Sequence, residues 1–262
     1  MGIEQCHVVF MDLDNTFYDH RSNVVPPKHI EAIQKLKEKG YKVCTCTGRA
    51  MLLVEELDIL DLIEWDGHVC GNGAYVYDKD LHLLDENTIQ PQAARALISF
   101  AEKEGIGLLG LGNVAMATKI GEREQAVVDY FHLKDVKIRP YQDTDRYSNI
   151  LMPWDETIEA HLRQANIEGI DPVYMTHCID VKRKGISKYH GIEILMDSFG
   201  YPVHDYIAFG DSFIDLEMLE NATLGVVMEN ADPRLKERIR ETAPPCHEGG
   251  VYTYCKTHHL ID

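Results

Sequence analysis

His7-Val8-Val9-Phe10-Met11-Asp12-Leu13-Asp14-Asn15-Thr16 is the stretch that decides the reading of this chain. Residues 7–11 form a short apolar run, β-branched and aromatic, which suits a buried strand. The run stops at a polar turn that carries two carboxylates, Asp12 and Asp14. In open parallel sheets ligands bind beyond the carboxyl ends of the strands, near the point where strand order reverses. An acid pair in that position therefore has a place to act.

Working outward, Pro26 and Pro27 introduce a predicted helix over 28–39, with Ile30, Ile33 and Leu36 at helical spacing and Gly40 placed to stop it. A second strand, 41–46, ends at Thr47-Gly48-Arg49, and a helix over 50–60 follows. Residues 68–70 make another short strand before Gly71-Asn72-Gly73. Two more strand-like pieces, 74–77 and 81–84, flank the turn Asp78-Lys79-Asp80. Strand and helix alternating with glycine at the junctions signals a parallel α/β sheet.

The middle reads differently. Between 87 and 180 the pattern predicts helices near 91–103, 121–131 and 155–165, with strands near 107–111, 115–119, 148–152 and 172–178. No acidic motif closes a strand there, so 87–179 is expected to be an α+β domain inserted into a core of 1–86 and 180–262. Lys182, Arg183 and Lys184 read as a solvated hinge. The first pattern then resumes. Ser187 can cap a helix starting at Lys188, with Ile192, Ile194, Leu195 and Phe199 on its apolar positions. A strand over 205–209 ends at Gly210-Asp211-Ser212. A helix near 216–220, a strand over 224–228, a helix over 234–241 and a tail over 249–258 close the core. The fold class is thus α/β, a doubly wound parallel sheet with an inserted domain.

Composition narrows the partners. Forty-three acidic against 26 basic side chains leave a formal charge of −17, which repels nucleic acid and anionic membranes. No apolar run approaches the ~18 residues of a membrane span, and Met1–Cys6 lacks the basic start of a leader. Seven cysteines cannot all pair and form no Cys-x-x-Cys, so buried thiols in a cytoplasmic protein are expected. Oligomeric state has no sequence signal here.

The chemistry rests on order and placement. Asp-x-Asp-x-Thr follows the first strand, Thr-Gly-Arg the second, Ser-Lys opens a helix, and Gly-Asp-x-x-x-Asp follows a later strand. Together they resemble the haloacid dehalogenase superfamily, and within it the Cof-like phosphatases with a C2-type cap. Residues 10–16 look like its first motif, Cys46-Thr47-Gly48-Arg49 its second, Gly185-Ile186-Ser187-Lys188 its third and residues 210–215 its fourth. Gly71-Asn72-Gly73-Ala74 and Asn230-Ala231 are similar to family landmarks. About 33 residues separate Asp14 from Thr47 and about 140 separate Thr47 from Lys188, so the insertion falls where C2 caps sit.

The resemblance implies a magnesium-dependent phosphatase acting on a small phosphorylated metabolite, a sugar phosphate or phosphorylated cofactor. Asp12 is the implied nucleophile, forming an aspartyl-phosphate. Asp14 is the implied general acid and base, a duty that asks for a pKa raised toward neutrality. Mg2+ is expected on Asp12, the Asp14 carbonyl and Asp211, with Asp215 supporting; four acids facing a phosphate dianion need cations. Lys188, Thr47 and the Gly48 amide are expected on the phosphate, the last two at a helix start. Asn72 either orients substrate or makes its turn, and Thr16 stabilises the Asp12–Thr16 turn. His177 and Tyr174 are specificity candidates in the insertion. Ile214 stands where the family usually has Asn before the second acid of the fourth motif. Two alternatives stay open: a phosphotransferase or phosphomutase using the same aspartyl-phosphate, and a non-catalytic protein that binds a phosphorylated ligand.

Overall fold

Apolar runs of four or five residues extend as strands here because both their faces are covered. The structure, a computed structural model, describes residues 5–131 and 133–262. Residues 1–4, part of the stretch read for a leader, lie outside it. In chain order the elements are β1 (Val8–Met11), α1 (Pro27–Glu38), β2 (Lys42–Cys46), α2 (Met51–Glu55), β3 (Gly67–Cys70), β4 (Tyr75–Asp78) and β5 (Leu83–Glu86). Then come α3 (Pro91–Glu104), β6 (Leu109–Gly112), β7 (Ala115–Ala117), α4 (Glu122–Tyr130), β8 (Lys137–Ile138), β9 (Tyr147–Pro153), α5 (Glu156–Ala165), β10 (Ile170–Tyr174) and β11 (Cys178–Arg183). The chain finishes with α6 (Lys188–Phe199), β12 (Tyr206–Gly210), α7 (Leu216–Asn221), β13 (Leu224–Met228), α8 (Pro233–Lys236), β14 (Glu241–Ala243) and α9 (Gly250–Thr257).

Two compact units result: residues up to 49 with 54–86 and 187–262, and residues 50–53 with 87–186. The first holds a sheet ordered β14-β13-β12-β1-β2-β3-β4-β5. β14 through β3 run parallel, and β4 and β5 turn back as an antiparallel hairpin on one edge. β1 sits between β12 and β2, with Met11 opposite both Phe209 and Thr45. The carboxyl ends of residues some 200 apart in sequence are thereby brought side by side. Val8 and Phe10 pack with Cys44, Cys46, Ile192, Leu195 and Met218, against α6 and α7. The pleat sends Val9 and Met11 to the opposite face, where α1 and α9 lie against each other and the sheet. The seven cysteines are free and buried.

The second unit is a sheet ordered β10-β11-β9-β6-β7-β8. Its pairings are antiparallel except β7–β8. α3 and α5 pack on one face, and α4 on the other.

Several elements differ from their sequence reading. The expected strand 172–178 is two strands joined by a turn, and Lys182 and Arg183 are not a hinge but the end of β11, because their backbones pair with β10 and β9. The expected helix over 234–241 stops at Lys236, and residues 241–243 join the sheet edge beside β13. Among the described residues no helix is long and apolar enough to cross a membrane.

Candidate active site

Asp12 continues the β1 ladder by one residue: its amide donates to the Phe209 carbonyl at 3.0 Å. The side chain is thus set at the strand tip, and it is 4% exposed. Next door, β12 ends at Gly210 and turns through Asp211 into a short 3-10 turn, Phe213–Asp215. Asp215 is fully buried. Its Oδ2 accepts from the amides of Asp211 at 3.1 Å and Ser212 at 2.9 Å. Gly210 is required here, since a Cβ would come within 2.8 Å of the Asp215 carboxyl.

Lys188 enters from the first residue of α6, where Ser187 caps the helix by accepting from His190 N at 3.4 Å. Its ammonium is buried and bridges two acids, 2.6 Å from Asp12 Oδ1 and 2.5 Å from Asp215 Oδ1. What holds α6 close enough is glycine. A Cβ on Gly73 would lie 2.0 Å from the Ser187 carbonyl, and φ there is +91°. Gly73→Ala is therefore expected to destabilise the fold by about 3 kcal/mol or more, read as a lowered denaturant midpoint, and to loosen Lys188 with it. A variant as stable as the parent would show that α6 can shift freely.

The electrostatics follow from burial. Burial pushes Asp12 up, to about 7, against the pull of Lys188; Asp215 and Asp14 push the same way. Burial would lower Lys188, yet Asp12 and Asp215 raise it above the ordinary lysine range. Asp211 is pushed to about 9 by burial, then by the charges of Asp12 and Asp215. The carboxylate oxygens of Asp12, Asp211 and Asp215 lie within 4.8 Å of one another. Asp215 spends both oxygens on Lys188 and the loop amides, so the open hard-oxygen donors are on Asp12 and Asp211. That set fits a small divalent cation, which would relieve the repulsion that raises both acids.

Asp14 departs from expectation. Burial alone would raise it, but hydrogen bonds from His20 and Arg49 hold it well below the usual carboxylate range. Arg49 Nε reaches both oxygens at 3.0 Å and Nη2 reaches Oδ1 at 2.7 Å, while His20 Nε2 lies 2.5 Å from Oδ1. The expected shift toward neutrality is corrected to an ionised, clamped carboxylate. Arg49 stood in the Thr-Gly-Arg triplet without a role. His20 carries no sequence signal, since only the β1–α1 loop brings it to Asp14.

Thr47, Gly48 and Asn72 meet at the ends of β2 and β3. Thr47 N donates to Val69 O at 2.8 Å, and Asn72 N donates to Thr47 O at 3.0 Å. The missing side chain of Gly48 leaves space for that of Asn72, whose Oδ1 would lie 3.1 Å from a Cβ. Asn72 takes the left-handed φ of 56° in the turn and is buried, its Oδ1 lacking a hydrogen-bond partner among the described residues. The helix start expected after Gly48 is reduced: α2 begins only at Met51 and spans five residues, so little dipole points at this loop. Thr16 is fully buried, and its amide donates to Leu13 O at 3.3 Å inside the turn. Ile214 is 40% exposed, leaving Lys188 anchored by Asp12 and Asp215. In the second unit, Tyr174 lies under the Arg163 guanidinium at 4.2 Å, and His177 rests on Tyr130 at 5.2 Å between ring centres.

Known proteins resemble this chain over nearly its whole length. The haloacid dehalogenase-like hydrolase family profile matches residues 9–254. The chain is 26% identical to a putative phosphatase, YkrA, of Bacillus subtilis over 255 residues, 93% of this chain and 94% of that protein. It is 26% identical to the phosphoglycolate phosphatase of Methanothermobacter thermautotrophicus over 248 residues, 93% of this chain and 94% of that protein. Among solved structures, a protein from Geobacillus kaustophilus superposes with a TM-score of 0.87 at 27% identity, covering 98% of this chain and all of that one. BT1666 of Bacteroides thetaiotaomicron, studied among phosphatases of the same superfamily, superposes at 0.86 with 21% identity over 98% and 96%.

Proposed function

This chain belongs to the haloacid dehalogenase-like hydrolases, and from that membership we propose that it is a phosphatase of small phosphorylated metabolites. The observation that carries the reading is Lys188, buried between Asp12 and Asp215 with Asp211 at the adjoining strand end. A buried cation held on one acid's oxygen leaves that acid's second oxygen oriented for attack, and offers positive charge to the phosphoryl group it attacks.

In the proposed first step an Asp12 oxygen bonds to phosphorus as the P–O bond to the alcohol breaks. The bond's electron pair stays on the alcohol oxygen, which takes a proton from Asp14, one that the ionised side chain must first take up as the anionic substrate binds. In the second, water bonds to phosphorus and loses a proton to Asp14, and the bond to Asp12 breaks. The net change is ester plus water to alcohol plus inorganic phosphate. Asp14 as it stands, ionised and held by Arg49 and His20, is the form that receives a proton in the second step. Thr47 and the Gly48 amide contact phosphate oxygens in this reading. A Mg2+ ion held by Asp12, the Asp14 carbonyl and Asp211 would supply charge neutralisation for the incoming dianion. Asp215 supports the site by anchoring Lys188.

The inserted unit, placed by sequence at 87–179, is proposed as the cap that reads the alcohol portion. Relatives point to the substrate class: they include phosphatases of phosphoglycolate, of 5-amino-6-(5-phospho-D-ribitylamino)uracil and of pyridoxal phosphate. With buried free thiols, the protein is proposed to work in the reducing cytoplasm.

The test is phosphate release from a panel of phosphorylated metabolites with MgCl2 and with EDTA. Chelation is expected to lower turnover by about 100-fold or more, several kcal/mol of charge stabilisation being lost. Magnesium at about 100 times its Kd is expected to add roughly 2.7 kcal/mol of stability, seen as a raised Tm. Full turnover in EDTA would remove the cation from the reading, and transfer of phosphate to an added sugar in place of release would turn it toward a phosphotransferase.

A further inference from the structure

The two oxygens of Asp14 are not equivalent. Oδ1 accepts from Arg49 Nε at 3.0 Å and from Nη2 at 2.7 Å, and His20 Nε2 lies 2.5 Å from it. Among the described residues, Oδ2 accepts only from Arg49 Nε at 3.0 Å. A carboxylate oxygen has about two lone-pair sites, so Oδ1 is saturated and Oδ2 keeps one open. The side chain is 33% exposed.

His20 is delivered by a pinned loop. Between β1 and α1, Asp14 bridges Tyr18 and Asp19 bridges Val24. The Asp19 amide donates to Val24 O at 3.0 Å, and the Asp19 carboxylate accepts from Arg21 N at 3.1 Å and Ser22 Oγ at 2.6 Å. Asn15 and Asn23 take left-handed φ values of 55° and 54°, a region asparagine tolerates better than most residues. The Tyr18 ring meets the imidazole edge-on at 5.2 Å. Arg49, arriving from the end of β2, closes on the same carboxylate.

We infer that His20 is a positioning residue which, by holding Oδ1, makes Oδ2 the oxygen that hands a proton to the leaving alcohol and later takes one from water. The inference rests on the phosphatase reading above. His20 touches neither ester nor phosphate; it acts through Asp14. Its effect is therefore confined to steps that need the Asp14 proton. An alkyl ester needs it, because an alkoxide is a poor leaving group; a nitrophenyl ester does not, because its phenolate departs unprotonated.

The experiment compares kcat/KM, which reports the first half-reaction, for glycerol phosphate and p-nitrophenyl phosphate. His20→Ala is expected to lower the alkyl value about ten-fold more than the aryl value, a fraction of the 10²–10⁴ that general acid catalysis contributes. His20→Gln, which keeps an N–H donor, is expected to recover most of the difference. Equal losses on the two esters, no loss on either, or a difference that Gln does not recover would each overturn the positioning role. A parent protein inert toward both esters sinks the phosphatase reading and this inference with it, whereas an active parent without the difference sinks this inference alone.

Discussion

Asp12→Asn abolishes phosphate release, lowering kcat/KM by about 10⁴-fold or more on every ester the parent hydrolyses. Loss of a covalent nucleophile is among the largest single-residue effects known for enzymes, and a four-decade loss corresponds to about 5.5 kcal/mol of transition-state stabilisation. The substitution is nearly isosteric, and Lys188 keeps its contact with Asp215 at 2.5 Å, so the fold should survive. An amide oxygen has no charge to attack phosphorus, and burial makes that difference larger. The measurement is phosphate release alongside acid-quenched trapping of labelled phosphoryl enzyme: the parent forms a base-labile adduct and the variant forms none. Turnover within ten-fold of the parent would falsify the assignment of Asp12.

Lys188→Met costs both activity and stability. The variant leaves Asp12, Asp211 and Asp215 crowded in a buried site without their ammonium. Breaking a buried ion pair from one side costs about 3–5 kcal/mol, which for a chain this long lowers Tm by on the order of 10 °C. The sign with pH is determinate. Asp12, at about 7, and Asp211, at about 9, already sit above the ordinary value of 3.8. A carboxyl raised on folding contributes stability that is complete below its unfolded pKa and is lost as pH rises through its folded one. Removing Lys188 raises Asp12 further, so the stability gap between parent and variant should widen from pH 5 to pH 8. Activity should fall by about 10³-fold, since the charge facing the phosphoryl group is gone. A gap that narrows with rising pH would show that the carboxyls are not held apart by this lysine.

The strands around Asp12, β1, β2 and β12, were legible because each is a brief apolar run ended by a polar turn. β13 lies at 224–228 as its pattern predicts. The elements misread are those whose identity depends on a neighbour. Residues 241–243 lack a β-branched run and become a strand only because β13 offers an edge beside them. Lys182 and Arg183 looked like solvated charge, yet their backbones complete the ladder of β11.

The site divides the same way. Sequence alone picked out the side chains proposed to carry the chemistry, Asp12, Asp14, Lys188, Asp211 and Asp215, because motif order and strand-end placement are local properties of the chain. It also set the expectation of an inserted unit at 87–179, where the second compact unit comprises residues 50–53 and 87–186. Tertiary structure alone decided how those groups are charged and occupied. Asp14 was expected to be neutralised by acidic neighbours, and is ionised because Arg49 from the bend after β2 and His20 from a loop converge on it. Asp215, read as support, is the anchor of Lys188 because the turn after β12 folds it inward. Protonation and hydrogen-bond occupancy depend on distances of a few ångströms between residues far apart in the chain, and no local pattern encodes those.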